Sequence, residues 1–286
     1  MLGIGELLWD VFEDGRRPGG APANFAFHAR QLGHEAAVIS RVGEDELGRE
    51  LLTHLKANGI STEFIQIDRQ KPTGTVPVRV APDGTPRFTV VEDVAWDYLE
   101  DEPGLHRAVA SADVLCFGTL IQRSHPSRQT VESLLKSAKN TVLFDINLRH
   151  DFWSKQQVTE QLKLSTILKM NQQEQQKLKN AGLGKGDRVD WCRSILLEFQ
   201  LELVCVTRGA KGCLLVGREG WAEHPGYPVE VADTVGCGDA FAAAVAHCHL
   251  KGYPLDKTAD FANRVGSFVA SRPGATPSLP DTLRLQ

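Results

Sequence analysis

The chain shows no large excess of either charge, no long apolar run, no paired cysteines and none of the common nucleotide-loop motifs. Each gap removes a class of function. Lys and Arg number 32 against 36 Asp and Glu, a formal net charge of -4 with a pI near 6.1, which argues against a nucleic-acid-binding surface. No segment approaches the ~20 apolar residues of a membrane-spanning helix. The stretch from Met1 to Trp9 lacks the basic leader and small-residue cleavage site of a signal peptide. Cys116, Cys192, Cys205, Cys213, Cys237 and Cys248 form no C-x-x-C pair, and several stand in apolar runs where a reduced thiol packs as a small hydrophobe. The expectation is a cytoplasmic protein acting on small soluble ligands, without nucleic-acid or membrane partners.

Also absent are a G-x-x-x-x-G-K-[ST] loop, a G-x-G-x-x-G after a strand, the H-R-D and D-F-G set of protein kinases, and a G-x-S-x-G serine elbow. The histidines show no zinc-like spacing with cysteines, so no structural metal is expected. Any phosphate site must therefore use another route.

What is present is a soluble globular composition, 42% hydrophobic and 24% charged over 286 residues. Length alone permits one large domain or two. With no repeat and no low-complexity linker, one domain over 1–286 with a small appendage is the simplest division. An apolar strand from Leu2 ends at Asp10, a helix with Pro22 near its start stops at Gly33, and strands at 36–42 and 62–68 flank a helix closed by Gly59. The alternation breaks at Pro72-Thr73-Gly74. Segments 75–80 and 87–91 alternate around Pro82-Asp83-Gly84-Thr85 and predict a β-hairpin, with Pro77 suiting an edge strand. It reads either as a lid over a pocket or as a decorated sheet edge. Beyond it come helices near 105–112 and 129–138, strands at 114–117, 141–144, 203–207 and 229–231, and a last helix at 255–271. This is an α/β pattern.

Three places carry polar groups at predicted strand or helix ends. Gly236-Cys237-Gly238-Asp239 opens into the small-residue run from Ala240, so the free N–H groups of a new helix would face an anion beside an acid. A Gly-rich loop with an acid in the first turn is equally common without function. Asp10, Gly20 and Asn24 could bind sugar hydroxyls, or serve only as turn and helix residues. Asp145-Ile146-Asn147-Leu148-Arg149 follows a strand at the edge where α/β sheets place ligands, and Asn171 with Glu174 fits a capping box equally well.

Taken together, Gly19-Gly20-Ala21-Pro22-Ala23-Asn24 and Asp233-Thr234-Val235-Gly236-Cys237-Gly238-Asp239 resemble the two signatures of the ribokinase-like (PfkB) carbohydrate kinases. Asp145-x-Asn147-Leu148-Arg149, Asn171-x-x-Glu174, Thr207-x-Gly209-Ala210-Lys211-Gly212 and Gly274-Ala275 follow in the family's order. Gly5-Glu6-x-x-x-Asp10, Pro72-Thr73-Gly74-Thr75-Val76 and Ala95-Trp96-Asp97 resemble the bacterial fructokinases in particular. Cys237 stands where the family usually has Ala, and Ile146 where fructokinases usually have Pro.

The resemblance implies a three-layer α/β/α fold with a mostly parallel central sheet and a small β lid, formed by about 11–20 and 72–97, that often pairs two subunits. It implies ATP-dependent phosphorylation of a free sugar, most simply fructose. By this likeness Asp239 is the base, and the N–H groups of Gly236, Cys237 and Gly238 form the anion hole. Asp10, Gly20, Asn24 and Arg149 bind the sugar; Asn171, Thr207, Gly209, Gly212 and Asn263 line the ATP site. Glu174 serves Mg²⁺ indirectly, and Asp233, Val235, Ala270, Gly274 and Ser278 occupy the loops of a potassium site. The alternatives are a related kinase for 2-keto-3-deoxygluconate, ribose, a nucleoside or a sugar phosphate, and a non-catalytic binding regulator of the same fold.

Overall fold

The fold is given by a computed structural model that describes residues 1–80 and 86–284. The chain runs through β1 (Leu2–Ile4), β2 (Leu8–Phe12), β3 (Gly15–Gly19), α1 (Ala21–Gln31), β4 (Ala37–Gly43), α2 (Glu46–Ala57), β5 (Ile65–Asp68), β6 (Gly74–Val80) and β7 (Pro86–Phe88). It continues through α3 (Pro103–Ser111), β8 (Val114–Phe117), α4 (His125–Leu135), β9 (Thr141–Asp145), α5 (Lys155–Leu162), β10 (Ile167–Asn171), α6 (Gln172–Asn180) and α7 (Arg188–Glu198). The last part holds β11 (Leu203–Thr207), β12 (Cys213–Gly217), β13 (Trp221–His224), α8 (Cys237–Leu250), α9 (Leu255–Ala270) and α10 (Asp281–Arg284).

Nine strands form one sheet in the order β13-β12-β11-β10-β9-β8-β1-β4-β5. All neighbours are parallel except at one edge, where β12 and β13 run antiparallel. The central strands read as near-continuous apolar runs because both faces are covered. In β11, Val204 and Val206 pack with the layer that includes Leu178 of α6 and Trp191 of α7, while Leu203 and Cys205 pack with α8 and α9. Helices α3 to α7 thus cover one face, and α1, α2, α8 and α9 the other.

A second, four-stranded sheet has the order β3-β2-β6-β7. The predicted single strand from Leu2 to Asp10 is in fact two: β1 joins the large sheet, the chain turns over Gly5–Leu7, and β2 enters the small one. Both pieces are apolar, so hydropathy alone cannot see the change of sheet. Pro77 is not on an edge. It lies in β6, between β2 and β7, opposite Val11 at the last rung of the β2 pairing, while its carbonyl accepts from the Thr89 N–H at 3.0 Å on the other side, where its ring supplies no donor in return. The predicted turn at Pro82–Thr85 lies outside the described residues.

The strand predicted at 229–231 is absent. That segment crosses the surface with Val231 58% exposed, so its alternating valines have no apolar layer to face. The chain is anchored just beyond, where the N–H groups of Ala232 and Asp233 both donate to the Ala270 carbonyl at 2.9 and 3.3 Å.

Candidate active site

Asp145, Asn171 and Thr207 end β9, β10 and β11, and all three strands point the same way, so their polar ends share one rim of the sheet. The N-terminus of α8 reaches this rim. Gly236 begins it in the left-handed region, with φ 76°, and a Cβ there would lie 2.5 Å from the Ala275 carbonyl oxygen. Only glycine fits. No side chain caps α8, which leaves its first N–H groups available to an anion.

The two distant signatures meet at this point. Asn24 on α1 donates its Nδ2–H to Asp239 Oδ2 at 2.8 Å, across 215 residues of sequence. Burial raises the Asp239 carboxyl above its ordinary pKa, against the pull of Lys169, the Asn24 bond and Arg149. The same face of α1 continues the join at intervals of four and three residues. His28 Nε2–H donates to the Ala275 carbonyl at 2.9 Å, and Gln31 bonds the Pro277 carbonyl at 3.1 Å and the Leu279 N–H at 2.7 Å.

Asp10 stands on β2 of the small sheet, half-buried. Desolvation lifts its carboxyl to about 6, although Arg149 and Arg17 pull it down. Gly20 closes the approach between the sheets, since a Cβ there would sit 2.3 Å from the Glu6 carbonyl oxygen. Arg149 is exposed; its carbonyl accepts from the Phe152 N–H at 3.2 Å, and its guanidinium makes no hydrogen bond or ion pair among the described residues. It follows a β9 exit held at positive φ, 41° at Asn147 and 47° at His150, the kind of strained backbone found at binding sites.

Among the residues expected to line the nucleotide site, the capping box is formed. The Asn171 Oδ1 accepts from the Glu174 N–H at 2.9 Å, and Glu174 Oε2 accepts from the Asn171 N–H at 2.7 Å. The other Glu174 oxygen accepts from the Leu148 N–H at 2.9 Å, so this carboxylate ties α6 to the β9 exit. Thr207 Oγ1 lies 3.4 Å from the Met170 carbonyl. Gly209 has open space on its Cβ side, whereas a Cβ on Gly212 would fall 1.9 Å from the His224 carbonyl oxygen. Gly212 is thus already required by the chain itself. Asn263 is buried on α9 with its Nδ2 spent on the Ala259 carbonyl and the Cys213 thiol.

Among the described residues no group of three or more His, Cys, Asp and Glu side chains could cage a metal. The loops expected to hold potassium are joined by Asp233, whose two oxygens accept from the N–H groups of Val235 at 3.0 Å and Gly274 at 3.1 Å. Ala270 fits that set poorly, because its carbonyl already accepts two N–H groups.

Two charged groups at the rim were given no role by the motif reading, although Glu6 stands in the quoted Gly5-Glu6-x-x-x-Asp10. Lys169, 6% exposed, bonds both oxygens of Asp145 at 2.9 and 2.8 Å; its signal was a lone charge inside the apolar run Ile167–Met170. Glu6 is buried and accepts from the Ala21 N–H at 3.2 Å, and desolvation lifts it to about 7. A groove of about 680 Å³ along β5 lies away from this rim and holds paired charges, among them Arg41 with Asp68 and Glu100.

An uncapped helix end beside a carboxylate, with an amide from α1 bonded to that carboxylate and an acid on a separate small sheet, is equipment for moving a phosphoryl group onto an alcohol. This is the class of a phosphotransferase. The chain belongs to the pfkB family of carbohydrate kinases, whose model matches residues 5–282. It is 35% identical over 308 residues to a sugar kinase of Pyrococcus horikoshii, covering 99% of this chain and 94% of that one. The structure of that uncharacterized sugar kinase in complex with ATP superposes with a TM-score of 0.82 at 32% identity, over 96% of this chain and 93% of the other. The fructokinase of Salmonella typhimurium is 29% identical, over 92% of this chain and 89% of its own. A fructokinase from Vibrio cholerae O395 in a fructose, ADP and calcium ion bound form gives a TM-score of 0.81 at 25% identity, covering 98% and 95%. The protein is therefore a sugar kinase with a ribokinase-like fold, and no helix among its described residues is long and apolar enough to cross a membrane.

Proposed function

We propose that the chain is a fructokinase that moves the γ-phosphoryl group of ATP to a hydroxyl of free D-fructose, giving fructose 6-phosphate. The observation that carries this reading is the 2.8 Å bond between Asn24 and Asp239, which puts an expected sugar ligand on the expected base. In this reading Asp239 accepts the proton of the attacking hydroxyl. A loose phosphoryl transition state asks for placement and charge neutralisation more than for a strong base. The N–H groups of Gly236, Cys237 and Gly238 receive the transferred group, while Asp10, Gly20, Asn24 and Arg149 hold the sugar. Asn171, Thr207 and Gly209 line the ATP site, with Asn263 and Gly212 shaping its wall. Mg²⁺ bound with ATP would supply charge neutralisation at the phosphates, and Glu174 would serve it indirectly. Asp233, Val235, Gly274 and Ser278 would hold potassium beside the anion hole.

The whole chain acts as one catalytic domain in which the small sheet is the lid and the contact between two subunits. Six cysteines without a disulfide among the described residues fit a cytoplasmic site of action. The test is ADP release from ATP and Mg²⁺ across a panel of sugars, with and without K⁺, and fructose is expected to rank first. Because Arg149 is exposed and unpaired, the panel includes the acidic sugar 2-keto-3-deoxygluconate as the second reading, and preference for it would replace fructose. Replacing Asp239 by Asn is expected to keep the fold and ATP binding and to lower turnover at least ~10²-fold; near-normal turnover would remove Asp239 as the base.

A further inference from the structure

Beneath the anion loop lies a buried charge that the reading above does not use. Lys169 projects from β10 toward the start of α8, and a Cβ placed on Gly238 would stand 2.9 Å from its Nζ. The ammonium therefore packs directly against the second glycine of the loop. A cation at a helix N-terminus opposes the helix dipole, and a buried ion pair is weak evidence of stabilisation, since apolar replacements of both partners are often tolerated. Its presence needs a reason other than stability.

The surroundings supply one. Asp239 is faced by Glu6 from the β1–β2 link, Cys116 from β8, Asp145 and Arg149 from β9 and its exit, and Cys237 from its own helix, as well as by Lys169. Burial favours protonation of Asp239; Lys169, the Asn24 hydrogen bond and Arg149 oppose it, and the two thiols, both raised by burial, stay neutral. Burial works against the Lys169 charge, but Asp145, Glu174 and Asp239 together hold its pKa above the ordinary lysine value. Arg149 is exposed to solvent and so screened, whereas Lys169 is enclosed.

We propose that Lys169 is a positioning residue for phosphoryl transfer, standing under Gly238 to keep the Asp239 carboxylate ionised while Asp145 holds the ammonium in place. The inference rests on Asp239 being the base. Removing a positive neighbour raises the pKa of an acid, so loss of Lys169 should move the acidic limb of the turnover profile to higher pH.

The experiment measures kcat from pH 5 to 9, ATP binding by calorimetry and thermal unfolding for wild type, Lys169→Met and the double variant Lys169→Met/Asp145→Leu. The double variant removes both partners of the buried Lys169–Asp145 ion pair, so Asp145 is not stranded and the test stays open where the single variant folds poorly. The expected result is an acidic limb moved up by about one pH unit in the single variant and by about half a unit or more in the double, with ATP affinity within about threefold of wild type. A double variant with the wild-type limb would show that Lys169 merely neutralises Asp145, and a folded single variant with an unmoved limb would equally overturn the proposal. Asp239→Asn, measured alongside, separates the two readings: if it is inactive while the limbs stay put, only the role of Lys169 fails, and if it is active, the base assignment fails and takes this inference with it.

Discussion

Cys237 tests whether a backbone group or its side chain matters in the anion loop. Its Sγ lies 3.7 Å from the Asp233 carbonyl, turned back into its own loop, and burial lifts the thiol to about 11, so it stays protonated and a poor nucleophile. Cys237→Ala is expected to retain turnover within about threefold, since the N–H it presents is unchanged; collapse of steady-state activity in the folded variant would mean that the sulfur takes part. Glu6 makes the opposite case, a side chain whose ionisation is costly. Between its ordinary value of 4.5 and about 7 the folded chain keeps a proton that the unfolded chain has released. The folded state is therefore progressively penalised as pH climbs through that window, by about 3 kcal/mol in full. Glu6→Gln removes the penalty while its amide oxygen can still accept from Ala21. Its thermal midpoint should sit near that of wild type at pH 5 and above it at pH 8, and a gap that does not widen between the two would show that Glu6 titrates normally.

Among the elements, α6 shows how one short motif can serve two purposes. Asn171 and Glu174 cap the helix reciprocally, and the same Glu174 holds the β9 exit through Leu148. Asn171→Ala should lower stability by about 1 kcal/mol in urea unfolding, and Asn171→Ser should recover most of it, as cap preferences require; equal stability of the two would show that the cap contributes nothing. The elements also mark what can be read from sequence. Runs such as Val114–Phe117 and Leu203–Thr207 announced buried parallel strands because each is apolar on both faces. Asn24 and Asp239 were placed by their motifs, but the bond between them depends on how α1 and α8 pack, which local patterns do not encode. The change of sheet at Gly5–Leu7 was hidden for a related reason, since one apolar run can serve two layers. At 229–231 alternation misled because the partner surface it presupposes is missing. Lys169 was passed over because its strand motif was read for Asn171 and Glu174 alone.

For the whole molecule, the small sheet carries two exposed apolar side chains, Val11 and Phe88, each 37% exposed. As the proposed subunit contact, it predicts a dimer in sedimentation, converted to monomer by the paired change Val11→Glu and Phe88→Glu. A fully active wild-type monomer at assay concentration would remove the small sheet from that role. The united faces of α1 and the C-terminal segment have a further consequence, one of order in refolding. Asn24, His28 and Gln31 meet partners 215 to 248 residues away along the chain, at Asp239, Ala275, Pro277 and Leu279. Contacts of such separation are rewarded only after their loop-closure entropy has been met. The site is therefore expected to assemble late, with kinase activity returning after the helical signal when the unfolded chain is diluted from urea.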